Sequence, residues 1–174
     1  DMCTGSGIIA ISMAKNVNAN FTAVDVSKKA LLVATQNAQN NGVKINFVLS
    51  NMFDDLKNTK KFDIIVSNPP YIPSNEINGL DIEVKDYDPK LALDGGKDGL
   101  YFYRKLASQS PNYLTKNGML LLEIGYNQKQ EVANLLSENF EDIKCIKDYS
   151  NNDRVMIAKL KTKGKKNVRT NSKN

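Results

Sequence analysis

At 174 residues, 41% of them hydrophobic, the chain has the length of one domain and can bury a sizeable core. It has no histidine, which excludes Ser-His-Asp triads, histidine bases and histidine-bound zinc, and its two cysteines, Cys3 and Cys145, are too few for a disulfide framework. The net charge of +5 resides at one end: residues 159–174 hold seven basic side chains and no acid, which leaves residues 1–158 at −2.

Taken in chain order, apolar runs alternate with helical patterns, the signature of an α/β fold. Asp1–Gly7 reads as a tight glycine turn and Ile8–Lys15 as a short helix. Phe21–Val26 reads as a buried strand. Ser27 is the expected N-cap of a helix to about Asn40, closed by Asn41-Gly42. Ile45–Leu49 and Phe62–Ser67 are further strands, the second stopped by Pro69-Pro70. Residues 72–98 read as a long loop and Leu100–Ser108 as a helix. Lys116-Asn117-Gly118 is expected to turn into the strand Met119–Ile124. A helix over Gln128–Glu138 follows, then an antiparallel hairpin of Ile143–Lys147 and Arg154–Lys161 around Ser150-Asn151-Asn152. No apolar run approaches the ~18 residues of a membrane helix. Residues 1–160 are expected to form the domain and 161–174 a disordered, solvated basic tail.

Two places carry chemistry. Gly5 and Gly7 allow close backbone approach, and the helix after them offers free N–H groups and a positive dipole to an anion. Asp25 ends the next strand 18 residues after Gly7, close to the ~20 at which an acid meets ribose hydroxyls in nucleotide-binding folds. The second place is Asn68-Pro69-Pro70-Tyr71. Its prolines donate no hydrogen bonds and stiffen the segment. The acceptors that remain, the Asn68 side-chain oxygen and the Pro69 carbonyl, suit the two N–H bonds of an NH2 group, and Tyr71 adds a flat face. The carboxylates are scattered and imply no metal site.

The glycine turn, Asp25 and Asn68–Tyr71 together resemble the class I S-adenosylmethionine-dependent methyltransferases that act on planar amino or amide nitrogens. Asp88–Leu100 (DPKLALDGGKDGL), Tyr103-Arg104, Leu122–Gly125 with Gln128, and Lys147–Tyr149 with Asp153–Val155 are similar to segments of the HemK/PrmC family, over residues 1 to about 160. The resemblance implies a Rossmann-like sheet of order 3-2-1-4-5-7-6. It also implies a helical domain and a central first strand ahead of the glycine turn. Of that strand this sequence holds only Asp1-Met2, so a slot in mid-sheet is expected.

The family's activity is N5-methylation of the glutamine in the Gly-Gly-Gln motif of peptide chain release factors, in the cytoplasm. The resemblance then assigns S-adenosylmethionine to Cys3, Thr4, Gly5, Ser6, Gly7, Asp25, Asn51, Met52 and Asn68. It assigns catalysis to Asn68, Pro69 and Tyr71, and the substrate glutamine to Asn68, Pro69, Pro70 and Tyr71. Cys3 stands where the family usually has Gly, Asn51 where it has Asp, and Asp88 where it has Glu. The implied partner is release factor, with nucleic acid disfavoured by the acidic body except through the tail, and no membrane. The alternatives are an adenine-N6 nucleic-acid methyltransferase and a non-catalytic binding module.

Overall fold

The computed structural model of the protein describes residues 1–56, 61–79 and 90–162. Six strands are formed among them: β1 (Thr22–Asp25), β2 (Asn46–Leu49), β3 (Phe62–Ser67), β4 (Leu114–Glu123), β5 (Phe140–Lys147) and β6 (Asp153–Leu160). The helices are α1 (Ile8–Asn16), α2 (Lys28–Asn40), α3 (Lys90–Leu93), α4 (Tyr101–Gln109) and α5 (Lys129–Leu136). Parallel β1–β2 and the set β3–β4–β6–β5 are joined through Met2, which bridges Val24 of β1 and Ser67 of β3, both in parallel. The strand sequence across the molecule is therefore β2, β1, Met2, β3, β4, β6, β5. This is the expected class I methyltransferase order, with Met2 in the place of the first strand.

Local chemistry explains the element ends. The Ser27 hydroxyl accepts from the Ala30 N–H at 3.2 Å and caps α2, and Gly42 takes φ +67 just beyond its far end. The buried residues of α2, Leu31, Ala34 and Ala38, recur at the spacing that faces one side of a helix. β3 stops where Pro69 and Pro70 offer no N–H to a ladder. β4 buries Leu114, Leu120 and Leu122, and β6 buries Met156 and Ala158 across from it, so the core sits around these strands with Tyr103, Leu106, Val132, Leu136 and Phe140.

Three local readings are corrected. Asn117-Gly118 does not precede the strand: β4 starts at Leu114, and the pairing with β3 jumps from Phe62–Leu114 to Ile64–Met119. Asn117, at φ +68, sits in this bulge, because Asn tolerates the left-handed region. The last helix starts at Lys129, with Gln128 at the N-cap, and ends at Leu136, since Phe140 already opens β5. After α4 the chain adds a 3-10 turn, Ser110–Asn112, built on Pro111. The long loop read over 72–98 is only partly described: Ile77–Gly79 forms a 3-10 turn, Lys90–Leu93 a helical turn, and residues 80–89 lie outside the described residues. The tail residues 163–174 also lie outside them.

A cavity of about 770 Å³ beside β1 and β3 is lined by Met13, Val17, Phe21, Phe53, Phe62 and Ile64 among others. The Asp1 nitrogen donates to the Thr22 carbonyl at 2.8 Å, one step further along the ladder that Asp1 and Thr4 make with Val24. No helix among the described residues is long and apolar enough to cross a membrane.

Candidate functional site

Register builds the site. Val24, Met2 and Ser67 form one rung across three adjacent strands, so Asp25, Cys3 and Asn68 follow it side by side at the carboxyl ends of the strands. Ser67 pairs with Leu122 of β4, which puts Glu123 next in the row, and Asp25 pairs with Leu49 of β2, with Asn51 two residues beyond. At ~4.8 Å between strands, the row from Asp25 to Asn68 spans about 10 Å. Open α/β sheets bind ligands at such a carboxyl edge.

On one side stands the glycine turn. Gly5 and Gly7 take φ +55 and +84. A Cβ on Gly7 would lie 3.1 Å from Ala34 and Ile11, so this glycine also lets α1 approach α2. Asp25 accepts from the Gly5 N–H through one oxygen and from the Ser27 N–H through the other, each at 2.8 Å. The carboxylate is thereby oriented while keeping lone pairs for further donors. Gly7, at the N-cap of α1, has no side chain to offer; the Asp1 carboxylate caps this helix start instead, accepting from the Ala10 N–H at 3.1 Å.

The predicted cofactor residues divide. Ser6 is exposed and Gly5 and Asp25 are partly exposed at the turn, whereas Gly7 is buried between α1 and α2. Thr4 is buried, and its hydroxyl donates inward to Asp1 at 2.6 Å. Asn51 is exposed, whereas Met52 is 3% exposed and its sulfur meets the Cys3 sulfur at 3.8 Å. Cys3 has φ +59, in the left-handed region that a glycine would occupy without strain. Burial, reinforced by the Asp25 charge, pushes its thiol up to about 12, so Cys3 is no nucleophile at neutral pH.

On the other side Asn68 is exposed, and among the described residues its side-chain amide has no protein partner. Pro69 and Pro70 beneath it are buried. Tyr71 is half-buried against the core. Its hydroxyl meets the Arg154 guanidinium, and burial, with Glu123 next, raises its pKa. Arg154 is held in turn by Asp148, at 3.1 Å and 3.2 Å, and donates to the Ile124 carbonyl at 3.3 Å. Burial also raises Glu123 against the pull of Arg154.

The support under Tyr71 comes from the Asp94–Gly99 stretch and Gln128, whose role their sequence does not show. Ile72 bridges Asp94, with Ile72 N–H donating to Leu93 and Gly95 N–H to Ile72 at 3.0 and 2.8 Å. A Cβ at Gly95 would stand 2.7 Å from the Tyr71 Cα, and one at Gly99 2.3 Å from the Tyr71 carbonyl. The Gly-Gly-Lys-Asp-Gly turn is therefore a cradle for this backbone. Gln128, 8% exposed, reaches the same carbonyl from the start of α5. A polar residue at a helix start carries no sign in sequence that it will be enclosed by distant loops.

Residues 1–80 match the family model described as the methyltransferase small domain. The chain is 42% identical over 162 residues to the release factor glutamine methyltransferase of Fusobacterium nucleatum, covering 91% of this chain and 46% of that protein. It is 44% identical over 162 residues to that of Lactococcus lactis, covering 91% and 59%. It thus spans about half the length of the curated relatives it matches. Among solved structures, a methyltransferase from Pyrococcus furiosus superposes with TM-score 0.67 at 20% identity, covering 90% of this chain and 71% of that one. A 16S rRNA N2 methyltransferase from T. thermophilus, in complex with AdoMet and guanosine, superposes with TM-score 0.63 at 18% identity, covering 91% and 36%.

Proposed function

We propose that this chain is a member of the release factor glutamine methyltransferase family and performs S-adenosylmethionine-dependent N5-methylation of the glutamine in the Gly-Gly-Gln motif of release factors. The observation that carries the reading is the row at the carboxyl edge. An oriented Asp25 carboxylate and the glycine turn lie on one side, and an unpartnered Asn68 amide over two buried prolines on the other.

The residues fit the cofactor. Asp25 retains acceptor capacity for ribose hydroxyls, and Gly5 has open space where a Cβ would be, so the turn's backbone can approach the methionine part closely. Asn51 is exposed for the adenine, while Met52, turned to the core, would contribute backbone and shape. When bound, S-adenosylmethionine supplies an electrophilic methyl group.

The chain's own task is to aim a poor nucleophile. An amide nitrogen has its lone pair delocalised into the carbonyl. The Asn68 Oδ1 and the Pro69 carbonyl accept its two N–H bonds, and the rigid proline pair keeps both acceptors in place. Orientation of this kind supplies up to ~7–11 kcal/mol in model reactions. As the nitrogen gains positive charge its N–H bonds become more acidic, and both hydrogen bonds strengthen, so the transition state is favoured over the bound substrate.

The adenine reading shares this acceptor pair, and the body's net −2 disfavours a phosphate backbone. The experiment offers the protein release factor and adenine-containing duplex DNA side by side with labelled S-adenosylmethionine. Label on the Gly-Gly-Gln glutamine is expected. Label in DNA alone would overturn the glutamine reading, and label in neither, with no cofactor bound, would favour a non-catalytic module.

A further inference from the structure

Pro69 and Pro70 cannot donate hydrogen bonds, so the Asn68–Tyr71 segment must be anchored mainly through its carbonyls. The donor that reaches it is the Gln128 side chain. Its Nε2 donates to the Tyr71 carbonyl at 3.0 Å and to the Gly99 carbonyl at 3.4 Å. Its Oε1 accepts from the Gly125 N–H at 2.9 Å and lies 3.5 Å from the Tyr103 hydroxyl, which donates to the Glu123 carbonyl at 2.9 Å. The partners fix the amide's orientation, because a rotated amide would press its oxygen against two carbonyl oxygens. The space is shaped for it as well. A Cβ on Gly99 would stand 2.7 Å from Nε2 and one on Gly125 2.8 Å from Oε1. One buried amide thus ties together the proline segment, the glycine cradle and the end of β4.

We infer that Gln128 is a positioning residue of the methyl transfer: it holds the Tyr71 carbonyl against the Gly99 and Gly125 turns and so aims Asn68 and Pro69 at the target amide. The inference rests on the glutamine-methyltransferase reading above. Among the described residues, the side-chain hydrogen bonds of Gln128 go to Tyr71, Gly99, Tyr103 and Gly125 and to none of the glycine turn or Asp25, so it acts on the transfer step and not on cofactor affinity.

The test uses Gln128→Leu and Gln128→Glu in the full chain. Three quantities are read: S-adenosylmethionine Kd by calorimetry, kcat and KM with release factor, and amide hydrogen exchange. For Gln128→Leu the expectation is an unchanged Kd and a kcat lowered about 100-fold, the scale of a ~1 Å misplacement. Exchange should speed up at Gly125 and Ile72 and stay slow at Leu120 and Met156.

In Gln128→Glu the ionised carboxylate faces two carbonyl oxygens, while the protonated acid regains one donor. Its transfer rate relative to the native chain should therefore rise as pH is lowered. The other titratable groups around this pocket, Tyr71, Tyr103, Glu123 and Arg154, are common to both chains and cancel in that ratio. Native kcat in Gln128→Leu, a ratio flat in pH for Gln128→Glu, or faster exchange spread equally over the core would overturn the inference. If the native chain labels no release factor, the function reading fails, and the exchange pattern alone decides whether Gln128 clamps the segment.

Discussion

Asp25 and Cys3 show how much a single position can be asked to do. Asp25 was legible as a cofactor ligand from its place at a strand end, but not as the brace of the glycine turn, because the Gly5 and Ser27 N–H groups reach it only in the fold. Asp25→Ala removes both roles. It should weaken S-adenosylmethionine binding by about 1–3 kcal/mol, the range for a hydrogen bond to a charged group, and also lower the melting temperature. Calorimetry together with thermal unfolding checks both. Cys3 at φ +59 stores strain of about 1 kcal/mol that a glycine would not carry, while its sulfur packs on Met52. Cys3→Gly should therefore change unfolding stability little, within about 1 kcal/mol. Cys3→Val, β-branched in the left-handed region, should cost about 2 kcal/mol or more by urea titration. The sequence showed the cysteine; the torsion that makes it unusual exists only once Met2 is pinned between two strands.

Turns, more than strands, set the quality of this site. The strand cores and α2 were readable because β3 ends on two prolines and Ser27 caps a helix whose apolar stripe is regular. The start of β4 was not, since Asn-Gly signals a turn equally well whether the chain reverses or merely bulges. The cradle was visible as a glycine pattern without a purpose. Its purpose, contact with the Tyr71 backbone, depends on residues more than twenty positions away in the chain. Two glycine substitutions separate open turns from closed ones. Gly5→Ala meets nothing within 4 Å and pays only for its φ of +55, so about 1 kcal/mol is expected. Gly99→Ala adds a collision at 2.3 Å with the Tyr71 carbonyl to a φ of +72 and should cost about 3 kcal/mol or more. Equal losses for the two in urea unfolding would contradict the cradle.

At the scale of the molecule, the alternation of elements and the closing hairpin were readable in the sequence, whereas the strand order came from the family resemblance and is met in the pairing of the strands through Met2. The central claim at this scale is the division of the carboxyl edge into a cofactor half and an acceptor half. The direct measurement compares Asn68→Ala with the native protein, reading methyl transfer to release factor and S-adenosylmethionine Kd on the same samples. Although the resemblance also assigned Asn68 to the cofactor, its place in the acceptor half predicts transfer lowered by about 100-fold or more with Kd largely intact, the scale of losing one preorganised transition-state hydrogen bond. Transfer within a few-fold of native, or transfer and cofactor affinity falling together, would contradict it.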